Sequence, residues 1–161
     1  MAGKDFQMKF EGPYTYQISV KDDGGYAVLH ESGHKNFKAP VTKRNPKIYV
    51  FTHNDKIIYV GQAIQGMAGR MWLGFRANGE GGYWGYSWRH RLKSAALHIW
   101  CLTGADEEIE IDTLECVEAE LVYLHRKTHD QWPEFQTEIH FHQTTNIHRE
   151  LAGKIFSHLN P

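Results

Sequence analysis

Cysteine and long apolar runs are the scarcest features of this 161-residue sequence. It contains two cysteines, Cys101 and Cys116, which excludes a disulfide framework, and we expect both thiols to be reduced. No segment reaches the roughly 20 apolar residues that a membrane helix needs. The N-terminal residues also lack the apolar centre of a secretory signal. We therefore expect a cytoplasmic protein without membrane contact.

The chain also lacks a substantial net charge, because it contains 18 basic and 19 acidic residues. The two signs are nevertheless separated along the chain. Residues 35–93 hold eleven bases and two acids, a net charge of +9, whereas residues 94–161 hold four bases and twelve acids, a net charge of −8. Aromatic residues lie among the bases of the first block, which is typical of a surface that meets a polyanion. The alternative is a solvated basic face that balances the acidic segment.

The hydrophobic pattern predicts an α+β fold, since strand-like and helix-like segments follow one another. We expect residues 1–46 to form a β-rich N-terminal elaboration and residues 47–161 to form the main body, together one compact unit. In the main body we expect a small antiparallel sheet of about three strands flanked by helices. Its strands are predicted over 47–52, 56–61 and 97–102, and its helices over 66–75, 87–96, 112–129 and 147–159.

Four short elements of the sequence carry its chemistry. Residues 48–50 (IYV) and 59–61 (YVG) place two tyrosines ten residues apart on the strands of a predicted hairpin. Arg70 follows in the first predicted helix. The long helix contains residues 118–122 (EAELV), and residues 133–136 (PEFQ) come after it. In this order and spacing, these elements resemble the GIY-YIG nuclease family, and the likeness covers residues 47–136.

The resemblance implies a metal-dependent phosphodiesterase and a role for each matching residue. Tyr49 would help to deprotonate the attacking water, and Tyr59 and Arg70 would hold the scissile phosphate. Glu118 would bind one Mg²⁺ or Mn²⁺, and Gln136 completes the matching set. Such chemistry needs a base, positive charge on the phosphate oxygens and a Lewis acid for the leaving group. Because a phenol is a weak base near neutral pH, the site also needs positive charge beside it.

The sequence departs from the family pattern at three positions. Lys47 replaces the first glycine, and we expect it to add a phosphate contact. Gln136 replaces an asparagine and has a longer reach. Gly74 stands where many relatives have a histidine or tyrosine, one helical turn after the arginine. The following loop offers three replacements for that side chain, which are Tyr83, Tyr86 and His90.

The hairpin allows a geometric prediction that does not depend on the resemblance. With an odd loop at residues 53–55, Tyr49 pairs with Tyr59 and both rings share one face of the sheet. With an even loop the two rings lie on opposite faces. We expect the odd loop, because Asn54 and Asp55 tolerate a left-handed backbone.

The long helix offers two glutamates as candidate metal ligands. At about 100° per residue, Glu118 and Glu120 flank the apolar stripe on opposite sides, while Glu115 points away. A carboxylate at the margin of a buried stripe needs a partner or a metal. Periodicity alone leaves either glutamate open, and the resemblance selects Glu118.

The resemblance is strongest to the small type II restriction endonucleases of the family, which cut short sites in duplex DNA. Cutting both strands of a symmetric site favours a homodimer. A second hypothesis is a catalytically inactive nucleic-acid-binding module of the same fold. Under either hypothesis we expect further DNA contacts from the basic block, namely Lys43, Arg44, Lys47, Arg76, Tyr83, Tyr86, Arg89, His90 and Arg91.

A third hypothesis rests on the eleven histidines of the chain. Three pairs have a spacing that metal ligands use, although the chain lacks an established zinc motif. Under this hypothesis the protein is a small histidine-rich metal protein and its hairpin tyrosines belong to the core. The pairs are His30 with His34, His125 with His129, and His140 with His142.

Overall fold

Five strands form one antiparallel sheet in the computed structural model, which describes residues 9–103 and 107–161, with no side chains described at 103 and 107–110. The strands are β1 (Lys9–Val20), β2 (Tyr26–His30), β3 (Lys47–His53), β4 (Lys56–Ala63) and β5 (Ser94–Thr103). Their order across the sheet is β2-β1-β5-β3-β4. The helices are α1 (Met67–Arg76), α2 (Glu107–His129) and α3 (Asn146–Leu159), with short 3₁₀ turns at Glu80–Gly82 and Ser87–His90.

The α+β class is confirmed, but the predicted number of about three strands is wrong. Strand β1 pairs with β5 from Lys9 to Ser19, so that β1 and β2 extend the same sheet as β3, β4 and β5. Residues 1–8 of the predicted N-terminal elaboration lie outside the described residues. The C-terminal helix begins and ends within one residue of its predicted bounds.

The helix predicted over residues 87–96 is also wrong. A single 3₁₀ turn ends at His90, and β5 begins at Ser94. The reason is the period of burial, since Ala95, Leu97 and Ile99 are buried on one face and alternate with less buried residues. An alternation of two residues fits a strand and does not fit a helix.

The two faces of the sheet carry separate cores. One face is aromatic and packs against α1 and the segment that follows it; its core includes Tyr49, Phe51, Tyr59, Phe75, Tyr86 and Trp88. The opposite face is mainly aliphatic and packs against α2 and α3; its core includes Ile48, Val50, Val60, Leu114, Val117, Leu121 and Ile155. Among the described residues, no helix is both long and apolar enough to cross a membrane.

The two tyrosines of the β3–β4 hairpin lie on one face of the sheet, as predicted, but the loop and the register of the hairpin differ from the prediction. Its loop has two residues, Asn54 and Asp55, with φ angles of 49° and 61°, so the predicted three-residue loop is wrong. A register shift then lies between Phe51 and Thr52, which is typical of a β-bulge. Beyond it Tyr49 pairs with Gly61 and Phe51 pairs with Tyr59, so the predicted pairing of Tyr49 with Tyr59 is wrong. The bulge restores the odd register, and the rings of Tyr49 and Tyr59 share the aromatic face.

Candidate active site

The hydroxyl of Tyr49 is the centre of the site. Its oxygen accepts a hydrogen bond from Nε of Arg70 at 3.1 Å and another from the hydroxyl of Tyr86 at 3.0 Å. The Tyr49 ring also stacks on Tyr59, with 6.2 Å between the ring centroids. Strands β3 and β4, helix α1 and the segment after α1 thus bring four of the sequence-predicted residues together.

The glycine of the second hairpin motif is required by the tyrosine of the first. Gly61 lies directly opposite Tyr49 on the neighbouring strand. A Cβ atom at Gly61 would lie 2.4 Å from both Cζ and the hydroxyl oxygen of Tyr49. Any side chain at Gly61 would therefore displace the phenol that Arg70 and Tyr86 contact.

Arg70 presents its positive charge within a group of phenols. Its guanidinium carbon lies 5.2 Å from the ring centroid of Tyr83 and 5.8 Å from that of Tyr86. Burial acts to lower the pKa of Arg70, but the phenol oxygens of Tyr49, Tyr86 and Tyr83 raise it above its ordinary value. Nε of Arg70 donates to Tyr49, and the guanidinium also interacts with the hydroxyl of Tyr83.

Tyr86 occupies the space above Gly74. A Cβ atom at Gly74 would lie 2.2 Å from Cε2 of Tyr86, and the backbone N–H of Tyr86 donates to the carbonyl of Gly74. Of the three replacements considered from the sequence, Tyr86 therefore fills the place of a side chain at Gly74. Tyr83 lies over Arg70 instead, and His90 is exposed outside this cluster.

The phenols around Tyr49 are held in the protonated form near neutral pH. Burial, followed by the neighbouring Tyr49 hydroxyl, raises the pKa of both Tyr59 and Tyr86 well above the ordinary value. Burial also raises the pKa of Tyr83, whose buried hydroxyl has no hydrogen-bond partner in the part of the chain that is described. This hydroxyl is a donor without an acceptor beside the guanidinium of Arg70.

Glu118 is a buried carboxylate that lacks a partner. It is 7% exposed, and within residues 9–103 and 107–161 it forms no hydrogen bond or ion pair. Burial, reinforced by the negative charge of Glu115, raises its pKa to about 8, although Arg70 acts in the opposite direction. Its negative charge also contributes to the raised pKa of Tyr59. Glu120, the other candidate, is only half-buried.

The surroundings of Glu118 fit a divalent cation. An unpartnered buried carboxylate is costly in its ionised form, and a bound cation removes that cost. Mg²⁺ commonly uses one or two protein carboxylates and completes its coordination with water and phosphate oxygens. Glu118 would supply one such ligand.

A second carboxylate–histidine group lies on the described surface. Ligand atoms of Asp112, Glu115 and His142 lie within 4.8 Å of one another, and His142 already pairs with Glu115. Glu115, expected to point away from the protein, instead lies under the segment that carries His142. Because this ion pair holds the segment onto α2, the group has a structural explanation.

The histidine pairs do not converge into a further site. Among the described residues, the group of Asp112, Glu115 and His142 contains one histidine, and no group of three donors contains two. His125 and His129 are adjacent, with 4.6 Å between ring centroids, but Nδ1 of His125 pairs with the carbonyl of Gln131. His30 pairs with the hydroxyl of Ser32.

Lys47 does not fit its predicted phosphate contact. The side chain is 0% exposed, and its ammonium donates to the carbonyls of Lys43 at 2.6 Å, Asn45 at 2.7 Å and Gln65 at 3.1 Å. Burial lowers the pKa of Lys47 to about 8. The carbonyls belong to two loops, which Lys47 therefore ties together; the Lys43 carbonyl also accepts from the backbone N–H of Asn45.

Arg89, like Lys47, binds backbone carbonyls of its own chain. Its guanidinium donates to the carbonyls of Ala77 at 2.6 Å, Gly74 at 2.9 Å and Tyr86 at 2.9 Å. These bonds fix the segment that carries Tyr86 against the end of α1, so the predicted DNA contact of Arg89 does not fit. Of the other predicted contacts, Tyr86 is fully buried and Tyr83 is half-buried, whereas five are exposed: Lys43, Arg44, Arg76, His90 and Arg91.

Gln136 binds the backbone of β4 at the tyrosine motif. Its side-chain oxygen accepts from the N–H of Val60 at 2.8 Å, and its side-chain nitrogen donates to the carbonyl of Val60 at 3.0 Å. The N–H of Phe135 donates to the carbonyl of Ile58. Together they cover the free edge of β4, so that Gln136 positions Tyr59 and Gly61 through Val60.

Sequence reasoning left the replacement at Gly74 open among three residues and missed the role of Arg89, because both depend on contacts between segments twelve or more residues apart. The sequence did contain a signal for this contact. Gly74 leaves space on α1, and the glycine-rich stretch between α1 and β5 contains the bulky aromatic residue Tyr86 that can fill it. Comparison with protein-family models, with curated proteins and with solved structures gave no match to the chain.

Proposed function

We propose that this protein is a metal-dependent DNA endonuclease of the GIY-YIG type that hydrolyses phosphodiester bonds in duplex DNA. We further propose that it acts in the cytoplasm as a sequence-specific type II restriction endonuclease. The observation that carries the proposal is the convergence on Tyr49, because Arg70 and Tyr86 both donate to its hydroxyl. The buried carboxylate of Glu118 adds an electrostatic interaction with Arg70 and Tyr59.

The cluster has the groups that phosphodiester hydrolysis needs. Tyr49 accepts the proton of the attacking water, and the two donors around its oxygen stabilise the negative charge that a deprotonated phenol carries. The Nη groups of Arg70 bind the non-bridging oxygens of the phosphate, where negative charge increases in the transition state. The unpartnered hydroxyl of Tyr83 donates to the same phosphate, which gives it the acceptor it lacks.

Glu118 holds Mg²⁺ or Mn²⁺ in this proposal. When bound, the ion supplies Lewis-acid stabilisation of the leaving oxygen. The residue itself contributes a carboxylate whose pKa is raised mainly by burial, and binding of a cation would favour its ionised form. Arg70 and Glu118 carry opposite charges, so a phosphate and a cation can bind side by side between them.

Tyr86 takes the place of the residue that Gly74 lacks. The phenol comes from the segment after α1, and the missing Cβ of Gly74 leaves room for it. Because Arg89 ties this segment to Gly74 and Ala77, the Tyr86 hydroxyl is held in position before substrate binds. The departure at Gly74 is therefore compatible with an active enzyme.

A nuclease assay on mixed genomic duplex DNA with Mg²⁺ or Mn²⁺ tests the proposal, because a sequence-specific enzyme is silent on DNA that lacks its site. We expect discrete fragments from the wild-type protein and none from Glu118→Ala. The matched control is Glu120→Ala, on the other side of the same helix stripe. Cutting that survives Glu118→Ala would refute the metal site, and light scattering with a cognate fragment would test for the homodimer.

One observation favours the alternative, a catalytically inactive nucleic-acid-binding module. Tyr49 and Tyr86 are both 0% exposed, so water reaches the Tyr49 hydroxyl only if neighbouring side chains move. Under this alternative the phenols are packing groups and the basic block binds nucleic acid. Binding that weakens steeply with salt, without cutting under any metal condition, would favour the inactive module.

A further inference from the structure

Helix α1 presents large apolar and cationic side chains to solvent. Trp72 is 51% exposed and Leu73 is 44% exposed. The guanidinium carbon of Arg76 lies 4.4 Å from the ring centroid of Trp72, so the cation and the indole form one flat surface. We call Trp72, Leu73 and Arg76 the α1 outer face. Exposed tryptophan and leucine side by side on a short helix are unusual unless the surface has a partner.

The α1 outer face adjoins the proposed phosphate site. The helix buries Met67, Met71, Gly74 and Phe75 against the sheet. At about 100° per residue, Arg70 lies at the margin of that buried side, and the α1 outer face continues from this margin away from the sheet. Arg70 and Leu73 are neighbours on the helix surface, as are Leu73 and Arg76. A ligand held by Arg70 that extends along the helix would meet the α1 outer face.

The charge of this region selects the kind of partner. Helix α1 contains two arginines and no acidic residue, and the basic block of residues 35–93 has two acids in all. A partner must therefore be anionic and must also offer apolar or flat groups to Trp72 and Leu73. Nucleic acid offers both, with phosphates for arginine and with sugars and base edges for the apolar side chains.

We propose that the α1 outer face is a DNA-contacting surface that lies against the duplex beside the phosphate held by Arg70. Arg76 contacts a backbone phosphate, and Trp72 and Leu73 contact sugars and base edges next to it. This inference rests on the proposed function, because it takes Arg70 as the anchor of the scissile phosphate. It adds a binding surface that the tyrosine and glutamate motifs do not contain.

Binding of random-sequence duplex DNA to the full-length chain, without divalent metal, tests this surface separately from cleavage. We expect Trp72→Ala to weaken binding about tenfold, a typical effect of losing one aromatic contact to nucleic acid. The matched control is Trp132→Ala, since Trp132 is also exposed, at 45%, but lies in the acidic part of the chain. Both tryptophans lie on the surface, so circular dichroism should show folded protein in each case.

Two further measurements identify the contact. Arg76→Gln should lower the slope of log affinity against log salt by about one, because one phosphate contact is lost. Tryptophan fluorescence should be quenched by the DNA in the wild type, and Trp72→Phe should remove part of that quenching while Trp132→Phe leaves it unchanged. Quenching unchanged by Trp72→Phe, together with wild-type affinity of Trp72→Ala, would overturn the inference.

The outcomes also separate this inference from the proposed function. If wild-type protein cuts DNA and Trp72→Ala binds and cuts equally well, the α1 outer face fails while the nuclease stands. If Trp72→Ala loses binding and the wild type never cuts, the surface stands and the inactive module is favoured. If Trp72→Ala instead dissociates a dimer and binds DNA normally as a monomer, the face is a contact between two copies and the inference is refuted.

Discussion

Replacing Glu118 with glutamine is expected to stabilise the metal-free protein while removing its metal ligand. The pKa of this carboxyl rises from 4.5 to about 8 on folding, mainly because of burial. The folded state therefore binds more protons than the unfolded state, and the stability that the neutral carboxyl provides is lost as the pH rises from 4.5 towards 8. Glutamine keeps the size and the neutral state of the protonated carboxyl at every pH.

The size of the effect follows from the shift of the Glu118 pKa. Relative to wild type, the pH-dependent gain in the free energy of unfolding of Glu118→Gln should be about 1 kcal/mol at pH 5 and about 3 kcal/mol at pH 7. Above pH 8 the gain should level off near about 5 kcal/mol. Urea unfolding of both proteins across this range measures it, and taking the difference cancels other titrating groups, Lys47 among them.

Two controls make the result specific to Glu118. Glu120→Gln, at a half-buried position on the same helix, should show no such growth with pH. Added Mg²⁺ or Mn²⁺ should stabilise the wild type by mass action and leave Glu118→Gln unchanged. A stability difference between Glu118→Gln and wild type that stays constant from pH 5 to pH 8 would refute the reasoning, because it would mean that Glu118 ionises as it does in water.

Three further predictions concern the supports of the site. Gly61→Ala should reduce stability by about 1 to 3 kcal/mol and lower cleavage, because the new Cβ overlaps the Tyr49 ring; thermal unfolding and a cleavage assay measure the two effects. Gln136→Ala should cost about 1 to 3 kcal/mol in urea unfolding by leaving the Val60 backbone groups without partners, and an unchanged unfolding midpoint would contradict this. Lys47→Met should destabilise the fold by about 3 kcal/mol through its orphaned carbonyls and leave duplex affinity at the wild-type value; a weaker duplex affinity in filter binding would restore the predicted phosphate contact.

The local sequence pattern predicted which segments form strands and helices better than it predicted which strands lie next to one another. Apart from the helix wrongly predicted over residues 87–96, the strands and helices of the main body follow from periodicities of two and 3.6 residues, and the C-terminal helix agrees within a residue. The pairing of β1 with β5 joins segments more than 80 residues apart, and short-range periodicity carries no record of such a contact. The missed bulge between Phe51 and Thr52 shows the same limit, because a run of β-branched and aromatic residues does not mark where one extra residue is inserted.

The residues of the candidate site also differ in how well the sequence predicted them. Tyr49, Tyr59, Arg70 and Glu118 were selected because each lies in a motif with a characteristic spacing, and the structure brings Tyr49, Tyr59 and Arg70 together. Their roles in catalysis stay predictions. The cationic residues were harder to assign, because composition does not distinguish an exposed cation from one that satisfies backbone carbonyls. Lys47 belongs to the second kind, with its ammonium enclosed by loop carbonyls.

The most direct test of the central claim is the rate at which mixed genomic duplex DNA is cut in the presence of Mg²⁺ or Mn²⁺ by wild type and by Arg70→Gln. We predict discrete fragments from the wild type and a cutting rate at least about a hundredfold lower for Arg70→Gln, because the positive charge that stabilises the transition state is gone. Equal rates for the two folded proteins, or no cutting by the wild type under either metal, would contradict it.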